Sequence, residues 1–166
     1  MNRLLDTLIL LLLGVLVGFN IFFSFIVAPL LFSNFEHRTA GEITNVIFPY
    51  YFGSGWIIGI VIYTLLGIKS FKDKEIIKKY RGFVIGIFIL VITHMALHKT
   101  VLPVARSINI QYYRELEEGN KEKALELKSK FKTVHGISSG INLFNLALEI
   151  YLFQYYFLRE RKLKKA

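Results

Sequence analysis

The chain has no cysteine, three prolines and a single tryptophan, and it is poor in charge. Without cysteine it builds no disulfide framework, no thiolate metal site, no iron–sulfur cluster and no covalently attached c-type haem. Charged side chains make up 20% of the 166 residues, against about 25% in an average soluble domain. Apolar side chains reach 54% and aromatic ones 15%, more than a water-soluble domain of this length can hide. The same apolar mass excludes intrinsic disorder and a nucleic-acid-binding domain. A phosphate loop, a dinucleotide fingerprint, a His-Glu-x-x-His motif and a nucleophile elbow are all missing, so any catalysis would need a bound cofactor. No internal repeat or low-complexity tract is evident in the residues.

What the chain does have is four long stretches nearly free of charge. A helix that crosses a bilayer needs roughly 20 such residues, because the hydrocarbon core is about 30 Å thick. Thr7 to Phe35 and Ile43 to Ile68 contain no Asp, Glu, Lys or Arg. Gly82 to Ala105 is interrupted only by Lys99, and Thr133 to Leu158 only by Glu149. These stretches predict an all-α integral membrane protein, an antiparallel four-helix bundle with helices at 4–33, 44–68, 82–104 and 132–158. Arg3 ahead of a leucine-rich run mimics a signal peptide, but the apolar run is too long and Val27-Ala28-Pro29 is a poor cleavage site, so the first helix is expected to stay.

The basic residues set an orientation. Arg3, then Lys69, Lys72, Lys74, Lys78, Lys79 and Arg81, then Arg159, Arg161, Lys162, Lys164 and Lys165 put twelve positive charges on one side. Positive charge beside a span favours the cytoplasm, so both termini are expected there, in a multi-pass protein of the cell membrane. The opposite side holds Arg38 and a mixed-charge segment, 106–131, read as an extramembrane helical connection broken near Gly119-Asn120. Its functional reading is a cap or a partner-binding arm, and its plain reading a solvated linker. Gly14/Gly18, Gly55/Gly59, Gly82/Gly86 and Gly136/Gly140 have the small-xxx-small spacing that lets helices approach closely in lipid.

Polar groups are costly inside a bilayer, so their positions are the most informative feature. At about 100° per residue, His135, Ser138, Ser139, Asn142, Asn145 and Glu149 share one face of the fourth helix. His94 and His98 are spaced i,i+4 on the third. The first helix offers Asn20, Ser24 and Pro29, and the second Asn45, Pro49, Tyr50 and Tyr51. With the predicted topology these groups gather in the outer half of the bundle.

Ala28-Pro29-Leu30-Leu31-Phe32, Ala40-Gly41, Phe48-Pro49-Tyr50-Tyr51-Phe52 and Leu102-Pro103 form a recognisable series. With Phe131-Lys132-Thr133-Val134-His135-Gly136-Ile137-Ser138-Ser139 and Asn142-Leu143, it resembles the transmembrane protein 205-like family, small four-helix membrane proteins of bacteria and eukaryotes. The resemblance implies an integral membrane protein, and it assigns no role to His94, His98 or Lys99.

From the residues alone, His98 and His135 stand at similar depth on neighbouring helices, which suits the axial ligands of a b-type haem, with His94 a deeper alternative. A transition metal is the related expectation. Phe22, Phe23, Phe25 and Phe48 would wall such a group, and Lys99 or Arg106 would pair with propionates. The structural alternative makes each imidazole an interhelical hydrogen-bonder, supported by Asn142, Ser138, Ser139, Asn145, Tyr50 and Tyr51. Glu149 lies too deep to reach the headgroups. It is read either as a neutral strut or as part of a proton or cation relay through Asn145 and Asn142 to His135, the core of a small transporter or channel. A third expectation is a homo-oligomer or an accessory subunit of a larger membrane complex, with Glu149 and Asn20 between subunits. The expected partners are thus the lipid bilayer and other membrane proteins, with no nucleic acid.

Overall fold

The computed structural model describes residues 2–71 and 73–163. Of the basic residues counted above, Lys72, Lys164 and Lys165 lie outside them. The described chain is all-α, with four helices long and apolar enough to cross a membrane. The first runs through Asn2–Phe22, a π-helical turn at Phe23–Val27, and Ala28–Asn34. The second is His37–Ser70. The third runs through Arg81–Ala96, a second π-helical turn at Leu97–Val101, and Leu102–Glu117. The fourth is Lys121–Leu163. A single short turn, Ile76–Lys79, lies between the second and third. Beside it Asp73 accepts from Lys79 and from the Glu75 N–H, and these bonds, Lys79's first, hold its carboxyl below the usual range.

The helices outrun their apolar segments because nothing in the flanking sequence stops them. The second begins at His37, where Arg38 pairs with Glu42 one turn on and with Glu117 of the third helix at 2.6 Å. The third continues to Glu117 and the fourth starts at Lys121, so the charged segment 106–131 forms the extended ends of two helices and their turn. That turn is built on Gly119, whose φ of 78° lies in the left-handed region where a Cβ would clash. The Asn120 N–H returns to the Glu115 carbonyl and the Gly119 N–H to that of Leu116, which caps the third helix. Lys123 on Glu115 at 2.6 Å and the buried Ala124 and Leu127 close the hairpin.

The first and third helices each pack against both the second and the fourth. The core they share is apolar: Ile9 and Leu13, Ile62 and Leu66, Phe83, Ile87 and Leu90, and Leu152 are all buried. Of the small-residue pairs, Gly55 and Gly59 meet the expectation most directly. A Cβ at Gly55 would run into the His94 ring and one at Gly59 into Val91, so these glycines let the third helix lie against the second. Gly86 likewise receives Leu152. Gly18, Gly136 and Gly140 have open space where a Cβ would go, so the spacing there marks no close contact.

A repeat unseen in the residues is plain in the backbone. The two π-helical turns fall at equivalent points of the first and third helices, and each is followed by proline, Pro29 and Pro103, in the first turn of the next α segment. A π-turn inserts one residue into the helix and so accommodates the missing N–H and the ring of the proline. At that same spacing the buried positions coincide: Asp6 with Tyr80, Ile9 with Phe83, Leu13 with Ile87, Leu16 with Leu90, Asn20 with His94. Few of these pairs are identical, which is why reading letters alone shows no repeat. The first and third helices are two versions of one design.

Candidate functional site

Two clusters of buried polar side chains lie among the four helices. The first surrounds Glu149, which is 0% exposed, on the fourth helix. One of its oxygens lies 3.0 Å from His94 Nε2 and the other accepts from Asn20 Nδ2 at 3.3 Å. Asn20 and His94 are the equivalent residues of the first and third helices and are each 1% exposed, so the carboxyl is gripped from both sides. The network continues from Asn20. Asn142 Nδ2 donates to Asn20 Oδ1 at 3.2 Å and to Ser24 Oγ at 2.8 Å, and Tyr51 donates to Asn142 Oδ1 at 2.8 Å. Asn145, 0% exposed, accepts from Thr93 at 2.6 Å.

Among the described residues no Lys or Arg pairs with Glu149, and two buried atoms of the cluster, His94 Nδ1 and Asn145 Nδ2, have no partner. With a neutral imidazole the pair can be arranged in two ways, which differ by one proton on the carboxyl. If His94 donates through Nε2, a carboxylate sits in an apolar core with amide and imidazole donors alone. If Glu149 donates, the ring proton moves to Nδ1, which meets no acceptor beside Gly55. A lone buried charge costs several kcal/mol and an unmet donor about 1–3 kcal/mol, so neither arrangement is fully compensated.

The second cluster closes the other end of the core and was not foreseen from the sequence. Lys69 reaches Asp6, Tyr156 at 3.0 Å and Glu160 at 3.1 Å. Tyr156 also donates to Asp6 at 2.9 Å, and Tyr80 donates to Glu160. The ammonium lies over the rings of Tyr80 and Tyr156, 5.3 and 5.4 Å from their centroids. All five side chains are buried, and none of their polar atoms is left buried without a partner. Signals were available: Asp6 sits one residue before the first charge-free stretch, Lys69 one after the second, and Glu160 alone among basic residues.

The sequence-predicted site residues are thus divided. Glu149, His94, Asn142 and Tyr51 come together, with Asn145 alongside. The hydrogen bonds from Glu149 run through Asn20 to Asn142, whereas the series expected from Asn145 and Asn142 to His135 is not joined by described hydrogen bonds. His135 is exposed, stacked on Phe131 with ring centroids 5.9 Å apart. His98 accepts from Trp56 Nε1 at 2.9 Å through Nδ1 and lies against Gly53. The three imidazoles therefore occupy three settings, and His98 and His135 do not face one another as an axial pair. Among the described residues no group of three or more His, Asp or Glu is placed to hold a metal ion. Tyr50, Lys99 and Ser139 are exposed, and Ser138 and Ser139 make no described side-chain hydrogen bond.

A family model described as "Domain of unknown function (DUF4149)" matches residues 11–114, which include Asn20, Tyr51, Lys69, Tyr80 and His94. An "Uncharacterized protein" of Aquifex aeolicus (strain VF5) is 31% identical over 146 residues, 87% of this chain and 91% of that relative. No solved structure gives a significant match.

Proposed function

This chain belongs to the DUF4149 family, and from that premise we propose that it is an integral membrane protein, an antiparallel four-helix bundle whose Glu149–His94 pair takes up and releases a proton to drive a small transporter. The observation that carries the reading is a fully buried carboxyl bonded to an imidazole and an amide, with no Lys or Arg among the described residues paired to it and with the far ring nitrogen unpartnered. Insertion is supported by the outward belt of Leu11, Phe25, Ile85, Phe88, Leu143 and Phe144, each about half exposed or more, which water would not tolerate. The excess of basic residues favours both termini in the cytoplasm of a cell-membrane protein. Kinship with the transmembrane protein 205-like family belongs to the same proposal. Its support is the Phe48–Phe52 and His135–Ser139 segments, of which the matched family region contains the first.

A transporter is favoured over an open channel by what lies below Glu149. Leu152, Ile87, Phe83, Leu13, Ile9 and Leu66 form a dry layer between the Glu149 and Lys69 clusters. A proton cannot cross about 10 Å of packed apolar side chains without polar groups or water, so passage requires the helices to move. The same geometry gives less support to a haem or transition metal, because His94 is engaged by Glu149, His98 by Trp56, and His135 faces outward.

Dissipation of an imposed pH gradient in proteoliposomes, followed by a trapped dye, tests the reading. Wild-type protein should dissipate the gradient faster than protein-free vesicles, and Glu149→Gln should abolish the excess. Wild-type vesicles indistinguishable from empty ones would overturn the proposal and leave the accessory-subunit role.

A further inference from the structure

Two side-by-side grooves on the surface contain neither Glu149 nor His94. One, of about 480 Å³, lies between the second and third helices and is lined by Asn45, Pro49, His98, Lys99, Arg106 and Ser107 among others. The other, of about 800 Å³ and almost wholly apolar, is lined by residues including Phe19, Phe23 and Ile57. Pro49 and His98 line both, so the two run together. From these grooves we infer a binding site for a phosphate-headed anionic lipid, with the phosphate between Lys99 and Arg106 and an acyl chain in the apolar trough.

Three features carry this. Lys99, in the π-helical turn, and Arg106, in the α segment that follows it, both line this one groove. Neither forms an ion pair among the described residues, and no Asp or Glu lines their groove. Next, the Trp56 N–H is a donor only, so His98 Nδ1 must accept, and in neutral His98 the proton sits on Nε2. His98 and Ser107, which line the groove with the two cations, thus bring a ring N–H and a hydroxyl to the same residue set. A phosphate, with several acceptor oxygens, matches such a donor set, and Arg binds it through two parallel bonds.

The third feature comes from the repeat. The residues of the first helix equivalent to Lys99 and Arg106 are Phe25 and Phe32, both exposed. One helical design thus carries aromatic rings on one side of the molecule and two cations on the other. The fold does not require the cations. A bare anion would leave the trough unused, and a neutral hydrophobe would leave two charges unmatched, whereas an anionic lipid satisfies both. The inference goes beyond the proton centre and survives if Glu149 proves inert, because neither groove contains it.

Trp56 is the chain's one tryptophan and is bonded to His98, so its fluorescence reports on the grooves. Full-length protein in a neutral detergent is titrated with short-chain phosphatidylglycerol, short-chain phosphatidylcholine or inorganic phosphate, and lipid adducts are counted by native mass spectrometry. Phosphatidylglycerol should bind saturably with a Trp56 response, and phosphatidylcholine should bind far more weakly. Lys99→Gln and Arg106→Gln should each weaken phosphatidylglycerol about tenfold, the worth of a charge-assisted hydrogen bond. Equal binding of both lipids, an equal response to inorganic phosphate, or unchanged affinity in the double variant would each overturn the site. So would the absence of both the fluorescence response and the adduct.

Discussion

The Lys69 and Glu149 clusters lie about two helical turns apart on the same four helices, yet they are built on opposite principles. At Lys69 one ammonium sits between two carboxylates and two phenols drawn from every helix or its flank, and all their buried atoms are partnered. At Glu149 a single carboxyl meets an imidazole and an amide, and two buried nitrogens nearby are left over. A saturated ionic knot resists any change of state. An unsaturated centre leaves each of its hydrogen-bonding arrangements incompletely compensated. The contrast suits the first cluster to clamping and the second to the proton exchange proposed for it.

Removing the ammonium tests the clamp most severely. Lys69→Met should cost about 3–5 kcal/mol, because Asp6 and Glu160 would then be buried without a counter-charge. Unfolding by SDS, followed by circular dichroism, measures it. Neutralising the acids as well, in Asp6→Asn/Lys69→Met/Glu160→Gln, should recover much of the loss. If Lys69→Met were neutral, the cluster would be wetter than its burial implies and the comparison would fail at its first term.

Next comes Gly55→Ala, where the new Cβ would overlap the His94 ring. Overpacking of this kind costs about 1–3 kcal/mol, and here it also pushes the imidazole off Glu149. Stability and gradient dissipation should fall together. Gly140→Ala, with open space at that position, should change neither.

Helix number, class and approximate place could be read from the sequence, because long charge-free stretches leave few alternatives in lipid. Glu149, Asn142 and Asn20 stood out for the same reason. Their partners did not, since pairing depends on helix rotation, which periodicity leaves open when a span is apolar all round. His94 and His98 share a face by spacing, yet the π-turn that begins at Leu97 separates their surroundings, one buried on Glu149 and one against Trp56. No residue pattern marks a π-turn except the proline after it. Lys69 and Glu160 were hidden in a different way: at a membrane border a charge reads as an orientation signal, and burial there follows only from what three other helices bring to the same spot.

Glu149→Gln separates the two clusters by function. The amide keeps the volume and can still bond to His94 and Asn20, so stability should change by no more than about 1 kcal/mol. Proton-driven activity should disappear. Glu160→Gln should do the reverse, weakening the Lys69 clamp while leaving dissipation per folded molecule intact. Loss of stability in Glu149→Gln as large as in Lys69→Met would make the centre a second clamp.

The smallest effect bears on how the centre is held. In Tyr51→Phe the ring still packs against Phe23, Phe48 and Phe52, whose centroids lie 4.9–6.3 Å away, and the bond to Asn142 is lost with the hydroxyl. Interhelical hydrogen bonds in membranes average about 0.6 kcal/mol, because the separated helices find other partners. A loss of that size, measured by SDS titration, fits a network whose members orient Asn20 rather than hold helices together. A loss several times larger would mean that Asn142 cannot re-pair once Tyr51 lets go. The amide chain would then be as rigid as the ionic knot, and the freedom to shift that the proton centre requires would have to come from the π-turns instead.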